Sequence, residues 1–248
     1  MIHESLKGQR VVVTRPRDQV EAIAAELRAQ GAVPILFPTI RIVPVEAAGL
    51  QAALAELDRF DWIVFTSGNS VTCLCDLAER YGAGARMTGR RIAAIGRGTA
   101  DRLAQRGIRA SMLPETSAAA ALAAALGDVG GARVLFPRSQ RGLDILPAEL
   151  VRRGATVTEL VVYDTVTAEL DQTGLAELRR GVDVVTVASP SALEGFLELL
   201  GDEAREILSR ARLACIGPTT AAAAERLGLR VDVVAAKQTA TGLVAALT

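Results

Sequence analysis

Histidine is almost missing from this chain of 248 residues, which contains only His3. A Ser-His-Asp triad, a histidine-ligated metal and histidine acid–base catalysis are therefore all disfavoured, because each needs an imidazole at a structured position. Only two tyrosines are present, so the groups left for proton transfer are those phenols, the carboxylates and bound water. The chemistry of the protein has to be found within this small set.

Cysteine is also scarce. Cys73, Cys75 and Cys215 cannot form a disulfide framework, and the first two are one residue apart with no histidine nearby. We therefore predict small buried residues rather than a metal site.

Net charge is absent, since Lys+Arg and Asp+Glu both number 28. No charged field exists to attract nucleic acid or an anionic membrane, so an anionic ligand has to be bound by local groups. The chain also has no apolar run of about 20 residues and no apolar core in its first ten residues, so we expect neither a membrane span nor a secretory signal. These features predict a cytoplasmic protein with no nucleic-acid or membrane partner.

An internal repeat organises the sequence. The segment from Arg10 to Ile40 aligns with Arg133 to Tyr163, and this places Arg15 opposite Arg138. Two later blocks repeat at nearly the same offset: DWIVFTSGNSV from Asp61 aligns with DVVTVASPSAL from Asp183, and RIAAIGRGTADRL from Arg91 with RLACIGPTTAAAA from Arg212. The chain is therefore predicted to contain two similar modules.

Each module alternates short apolar runs with helical patterns, which is typical of βα units and parallel sheets covered on both faces. Predicted strands lie at 11–13, 63–65, 92–95, 134–136, 184–187 and 213–216. Predicted amphipathic helices include Val20 to Leu27 and Leu193 to Leu200, and the alanine-rich stretches 118–125 and 221–224 also favour helix. The fold class is α/β.

The turns after the strands carry small polar residues. Each turn can cap the next helix at the carboxyl edge of a parallel sheet, where free N–H groups favour carboxylate or phosphate. The candidate anion-binding residues are Thr66, Ser67, Asn69, Ser70, Gly96, Ser189, Ser191, Gly217, Thr219 and Thr220. The alternative interpretation is plain helix capping. Gly96-Arg97-Gly98 lacks the third glycine of a dinucleotide fingerprint, and no Walker motif is present.

A succession of weak motifs over nearly the whole chain resembles the uroporphyrinogen-III synthase family. The motifs are VVVTRP at 11–16, DWIVFTSGNSV at 61–71, IAAIGRGTA at 92–100, RSQRGLDILPAEL at 138–150, VVYDT at 161–165, ASPSAL at 188–193 and IGPTTA at 216–221. No single motif is diagnostic, but their order and spacing are specific.

The resemblance implies two similar parallel-sheet α/β domains, flavodoxin-like, joined by a two-stranded β-ladder. Carried onto this sequence, residues 1–36 and 167–248 form the first domain and 44–160 the second, with connecting strands at 37–43 and 161–166. It also implies a monomer that requires no cofactor and no metal.

The implied reaction cyclises hydroxymethylbilane to uroporphyrinogen III with inversion of ring D through a spiro-pyrrolenine intermediate. Tyr163, in the VVY segment, matches the tyrosine expected to act as acid, although no single residue of the family is indispensable. Arg15, Arg138 and Arg141 are the candidate charge partners for substrate carboxylates, because Arg binds carboxylates in bidentate geometry.

Two alternatives stay open at this point. The same turns would also serve a non-catalytic two-lobed module that binds a small anion, and Tyr163 could be a packing residue whose hydroxyl merely has a hydrogen-bonding partner. We expect no DNA-binding segment after Thr248. A response-regulator-like phosphoacceptor is disfavoured because the acidic cluster it needs at a strand end is absent.

Overall fold

The computed structural model describes residues 6–46, 49–87, 89–142 and 144–248. His3 lies outside these ranges. The chain divides into two compact units. Unit 1 contains the residues up to Arg41 together with Val166–Thr248, and unit 2 contains Ile42–Thr165. The chain therefore leaves unit 1 early and returns to it late.

In the described ranges the strands are β1 (Arg10–Val13), β2 (Val33–Leu36), β3 (Ile40–Pro44), β4 (Trp62–Phe65), β5 (Arg91–Ala94), β6 (Arg133–Ser139), β7 (Thr156–Thr167), β8 (Val184–Val187), β9 (Arg212–Cys215) and β10 (Val233–Val234). The helices are α1 (Val20–Ala29), α2 (Leu50–Ala55), α3 (Gly68–Arg80), α4 (Gly84–Met87), α5 (Arg97–Gln105), α6 (Ala119–Ala125), α7 (Ile145–Arg152), α8 (Gln172–Leu178), α9 (Pro190–Leu200), α10 (Asp202–Arg210), α11 (Pro218–Arg226) and α12 (Ala240–Ala245). Arg17–Gln19 and Leu57–Arg59 form short 3-10 turns.

The six strands and the helices predicted from periodicity are all present, with boundaries shifted by at most a few residues. The α/β class with two mainly parallel sheets is confirmed. None of the described helices is long and apolar enough to cross a bilayer.

The two sheets share a core of four strands, in which β9-β8-β1-β2 corresponds to β5-β4-β6-β7, and β10 and β3 are added at opposite edges. In unit 1 the strand order is β10-β9-β8-β1-β2, and in the other sheet it is β3-β7-β6-β4-β5. Their registers correspond through the sequence repeat. Arg10 pairs with Val33 just as Arg133 pairs with Thr156, and the Ala93–Met112 bridge beside β5 corresponds to the pairing of Ala214 with Val233. The predicted internal repeat is therefore a structural repeat.

The inner strands bury both faces, because helices cover both sides of the sheet. Ile63 and Phe65 of β4 belong to one apolar cluster, whereas Trp62 and Val64 belong to another on the opposite face. In the same way, Val12 of β1 belongs to one apolar cluster, whereas Val11 and Val13 belong to another. This alternation explains why these strands read as continuous apolar runs.

An aspartate begins the central strand of each unit. The carboxylate of Asp183 accepts a hydrogen bond from Arg10 N at 2.7 Å, and Asp61 accepts one from Arg133 N at 2.8 Å. These contacts join β8 to β1 and β4 to β6 where the strands start. The two aspartates of the repeat therefore stabilise equivalent strand pairs.

β3 and β7 are the strands in which the chain passes between units, at Arg41/Ile42 and at Thr165/Val166. They are neighbours in the sheet order. β7 is one continuous strand of 12 residues, with Tyr163 in its second half. The domain boundaries proposed from the sequence stay a prediction.

Helix α9 packs unusually close to the segment before β3 in unit 1. A Cβ on Gly195 would lie 2.4 Å from the carbonyl oxygen of Thr39 and 3.2 Å from Ile40 Cγ2. Phe196, the next residue, meets Phe37 edge to face with ring centroids 5.9 Å apart. Only glycine allows this approach of helix to backbone.

We therefore expect Gly195→Ala to lower the free energy of unfolding by about 1–3 kcal/mol through overpacking, although alanine is the better helix former by about 1 kcal/mol. Gly84→Ala is the matched control, since its Cβ would come no closer than 3.5 Å to the flexible Glu79 side chain. Chemical denaturation measures both variants. Equal stability of the two would contradict the close approach.

Candidate active site

The helices that follow the central strands begin with serine caps. Ser67 Oγ accepts a hydrogen bond from Ser70 N at 3.0 Å at the start of α3, and Ser189 Oγ accepts one from Ala192 N at 3.1 Å at the start of α9. Pro190 occupies the first helical position, as predicted. The cap interpretation of these two turns is thus confirmed, and whether they also bind a ligand stays a prediction.

Glycine caps begin the next helix in each unit. Gly96 precedes α5 and Gly217 precedes α11, both in extended backbone conformation. A Cβ on Gly96 would lie 2.3 Å from Ser117 Oγ, and a Cβ on Gly217 would lie 2.9 Å from the Gln238 side chain. Each glycine therefore lets a polar side chain pack directly over the first turn of the helix.

Unit 2 contains a cluster of hydroxyl groups at the carboxyl end of β4. Tyr163 Oη lies 2.9 Å from Ser67 Oγ, 96 residues away in the sequence. Ser67 Oγ in turn donates to Ser70 Oγ at 3.2 Å, and Ser70 Oγ donates to the Ser67 carbonyl at 2.8 Å. The structure thus brings together three residues that the sequence placed in separate motifs.

The phenol of Tyr163 is shielded from solvent, with 6 % of the residue exposed. Burial raises the pKa of Tyr163 above its ordinary value; hydrogen bonding to Ser67 and Ser139 opposes that rise, and the neighbouring Cys73 thiol adds to it. The phenol therefore carries its proton at neutral pH. A phenol that keeps its proton at neutral pH can act as a general acid. The phenolate left after proton transfer then needs hydrogen bonds from its neighbours.

Ser139 and Cys73 were missed by sequence reasoning. The pairing of β6 with β7 shifts register after Arg138, so that Ser139 stands opposite Tyr163 and Val162 is skipped. Gln140 N donates to the Tyr163 carbonyl at 2.9 Å and holds this arrangement. A register shift leaves no signal in the sequence. The only available sign was a serine that follows soon after the apolar residues of β6.

The three candidate arginines occupy different environments. Arg138, with 11 % of its side chain exposed, pairs with Glu159 and with Asp144, the latter at 2.7 Å, and donates to the Gly142 carbonyl. Arg141 is largely exposed and lies 3.9 Å from Asp164. Arg15 donates to Gln19 Oε1 at 2.8 Å. Arg138 thus binds the loop after β6 to β7 and α7, which a sequence pattern cannot reveal.

The remaining candidates differ in exposure. Ser70 and Thr220 are almost completely buried, at 1 % and 2 % exposure. Thr219 is exposed, whereas Thr66, Asn69 and Ser191 are half-buried. Ser191 Oγ lies 2.9 Å from Ser189 Oγ. The backbone N–H of Thr220, rather than its side chain, is the group available at the start of α11.

All three cysteines are buried, as predicted. Burial raises the pKa of Cys75 and of Cys215 to about 11, so both thiols are protonated at neutral pH. In the described ranges no group of three or more His, Cys, Asp or Glu side chains is arranged to hold a metal ion.

A family model for "Uroporphyrinogen-III synthase HemD" matches residues 21–245. The chain belongs to the uroporphyrinogen-III synthase family. Its members include a uroporphyrinogen-III synthase from Chlorobaculum parvum, 32% identical over 233 residues that cover 90% of this chain and 92% of that protein. Another, from Synechococcus elongatus, is 30% identical over 256 residues and covers 100% of this chain and 97% of that protein. The protein is thus an enzyme of a porphyrin-biosynthesis family.

Solved structures of the family share the fold. A mutant uroporphyrinogen III synthase from Thermus thermophilus superimposes with a TM-score of 0.66 at 22% identity, covering 96% of each chain. The synthetase from Helicobacter pylori gives 0.64 at 16% identity, covering 96% of this chain and 97% of that one. The resemblance noted from the motifs and the α/β fold class are both confirmed.

The repeat supplies a matched pair for testing the serine caps. Ser189→Ala removes only the helix cap and the contact with the Ser191 hydroxyl, so we expect a loss of about 1 kcal/mol in the free energy of unfolding. Ser67→Ala also removes a partner of the buried Tyr163 hydroxyl, so the loss is larger by about 1 kcal/mol. Chemical denaturation compares the two. Identical losses would show that the Ser67–Tyr163 contact adds no stability.

Proposed function

We propose that the protein cyclises hydroxymethylbilane to uroporphyrinogen III, with inversion of ring D through a spiro-pyrrolenine intermediate. One observation carries the proposal: a buried neutral phenol, Tyr163, lies among serine hydroxyls at the carboxyl edge of a parallel sheet. Membership of the uroporphyrinogen-III synthase family supports it.

The reaction begins when the hydroxymethyl group of the substrate leaves as water. Tyr163 donates its proton to the departing oxygen, and the electron-rich pyrrole becomes an azafulvenium cation whose charge balances that of the phenolate. Ring D attacks through its substituted carbon and forms the spiro-pyrrolenine. Fragmentation and reclosure then give the inverted ring, and the proton lost in the final aromatisation returns to the phenolate. Substrate therefore equals product plus one water, with no net proton and no redox change.

Orientation is the second task of the protein, because unassisted closure gives the uninverted I isomer. The substrate bears acetate and propionate side chains, and we assign their binding to the first turns after Ser67, Gly96, Ser189 and Gly217. N–H groups at helix N-termini favour carboxylates. Fixing these side chains while ring D stays free to turn selects the spiro position.

Among the arginines, we assign Arg15 and Arg141 to substrate carboxylates. Arg138 already has Glu159 and Asp144 as partners, which favours a role in holding the loop after β6. We propose that the enzyme acts as a monomer in the cytoplasm, without cofactor, metal or nucleic acid.

The identity of the product tests the function. Purified protein, with chelator present and no nucleotide or metal added, is expected to convert hydroxymethylbilane chiefly to uroporphyrinogen III. Oxidation to porphyrins and chromatography separate the I and III isomers. An I-rich mixture equal to that formed in buffer alone would refute the synthase and leave an anion-binding module without activity.

The role of Tyr163 is tested separately. Tyr163→Phe keeps the ring but removes the phenolic proton, so single-turnover cyclisation should slow by about tenfold to a hundredfold while the fold is retained. Tyr81→Phe is the matched control, since Tyr81 is the other tyrosine of the chain and bonds to Glu46 at 2.8 Å. A wild-type rate for Tyr163→Phe would reassign Tyr163 to packing.

A further inference from the structure

The two units provide an internal comparison that isolates the polar groups around Tyr163. By the alignment of the repeat, Tyr163 corresponds to Ile40 and Ser139 corresponds to Pro16. Within the helix that follows, Ser70 corresponds to Ala192 and Cys73 to Gly195. The capping serine alone is shared, as Ser67 and Ser189. The duplicated framework therefore folds without these polar groups, and their presence in unit 2 is not required by the fold.

Unlike Ser67, which caps α3, Ser139 lies at the end of β6 and does not cap a helix. In the register of β6 with β7 it stands opposite Tyr163, and its hydrogen bonding, like that of Ser67, lowers the pKa of the Tyr163 phenol. Ser67 reaches the phenol from the loop after β4, whereas Ser139 reaches it from the end of β6. β4 and β6 are neighbours in the sheet, so Ser67 and Ser139 approach Tyr163 from adjacent strand ends.

The position of Ser139 is held by its surroundings. The register shift between Arg138 and Ser139 aligns Ser139 with Tyr163, and Gln140 N donates to the Tyr163 carbonyl at 2.9 Å. Gly142 N donates to the Ser139 carbonyl at 3.1 Å. The ion pairs of Arg138 with Glu159 and Asp144 fasten the same loop to β7 and to the start of α7. The loop therefore holds the serine in place before any substrate binds.

The number of hydroxyl protons decides which serine can donate to the phenol. A phenol has one proton to donate, and its oxygen can accept hydrogen bonds from neighbours. The hydroxyl proton of Ser67 is donated to Ser70 Oγ, whereas Ser139 Oγ accepts from Arg141 N at 3.3 Å and keeps its own proton to donate to Tyr163 Oη. After the phenolic proton has been transferred, Ser139 donates to the phenolate, and hydrogen bonds to charged groups are roughly twice as strong as those between neutral groups.

We propose that Ser139 is a positioning residue that donates a hydrogen bond to Tyr163 Oη and stabilises the phenolate formed when the phenolic proton leaves for the substrate. This rests on the proposed role of Tyr163 as acid. The balance is simple: the Tyr163 O–H bond breaks, the leaving hydroxide gains the proton as water, and the phenolate regains a proton when the final ring carbon loses its hydrogen.

The direct measurement is the ionisation of Tyr163 in the protein without substrate. The small number of tyrosines makes it possible to label this residue alone. The chain has two tyrosines, so a Tyr81→Phe protein grown with 3-fluorotyrosine carries the label only at position 163. The fluorine resonance reports ionisation of that one phenol, and the fluorinated ring ionises at lower pH than tyrosine, away from alkaline unfolding. No substrate is needed.

Other ionisable groups near the phenol have to stay constant in this titration. Cys73 on α3 faces Tyr163 and raises its pKa. Asp164 on β7 and Arg141 on the loop lie 3.9 Å apart, and Arg138 is paired with Glu159. The variants change none of these groups, so a shift of the label's pKa reports the loss of the hydroxyl.

In this labelled background, Ser139→Ala should raise the pKa of the phenol by about one unit, and Ser139→Thr should restore it. Ser139→Val matches Ser139→Thr in shape but has no hydroxyl, so a similar rise is expected, and an unchanged pKa in this variant would overturn the proposal even if the alanine variant does not fold. Ser209→Ala is the control, since Ser209 bonds only to the Glu206 carbonyl in the α10 helix, at 2.7 Å. Equal shifts in Ser139→Ala and Ser209→Ala would also overturn the proposal.

Kinetics then separates this proposal from the function on which it rests. In unlabelled protein, Ser139→Ala should lower kcat by about tenfold with little change in KM, whereas loss of a substrate contact would raise KM. If the wild-type protein forms only the I isomer, the synthase function fails while the fluorine titration still reports on Ser139. If the III isomer forms but the pKa of the phenol does not move, only the role of Ser139 fails.

Discussion

In a parallel sheet every strand ends at the same edge, and the helix that follows must begin there with N–H groups that have no partner within the helix. Small polar residues satisfy these groups, so an edge that the fold requires is also an edge lined with hydrogen-bond donors and hydroxyls. Ser67 and Ser189 show both aspects, because each caps a helix with a side-chain oxygen that also contacts another hydroxyl. The candidate site is thus built on the groups that start the helices.

The two units have two such edges, and only the edge of unit 2 carries a buried phenol bonded to a serine cap. Both units share the order and register of four strands and the capping pattern of the helices that follow them. The differences are confined to a few side chains: in unit 1 an isoleucine stands where unit 2 has Tyr163, and α9 packs against the Thr39 backbone through Gly195. A buried phenol needs polar neighbours. In unit 2 those neighbours are the serines Ser67 and Ser139, whereas the corresponding core of unit 1 is filled by close packing.

The arginines show where reasoning from sequence reaches its limit. Arg15 and Arg138 occupy the same place in the repeat and were both predicted to bind carboxylates of the substrate. Arg138 has carboxylates of its own chain as partners, at Glu159 and Asp144, and its binding of substrate stays a prediction. The spacing of these residues along the chain contains no hint of the contact, because the pairing of β6 with β7 and the turn into α7 create it. The ion-pair partners of Arg138 therefore depend on the conformation of the loop that follows it.

The sequence by itself determined the strands, the helices, the repeat and the caps, because hydrophobic periodicity and capping preference are local properties that act within a few residues. It also pointed to Tyr163, through a resemblance to a family rather than through any local pattern. Only the tertiary structure decided what surrounds that phenol. Ser67 lies 96 residues from Tyr163, and Ser139 faces it through a register shift between two strands. Contacts of this kind depend on how strands pair, and pairing is set by the packing of the whole sheet.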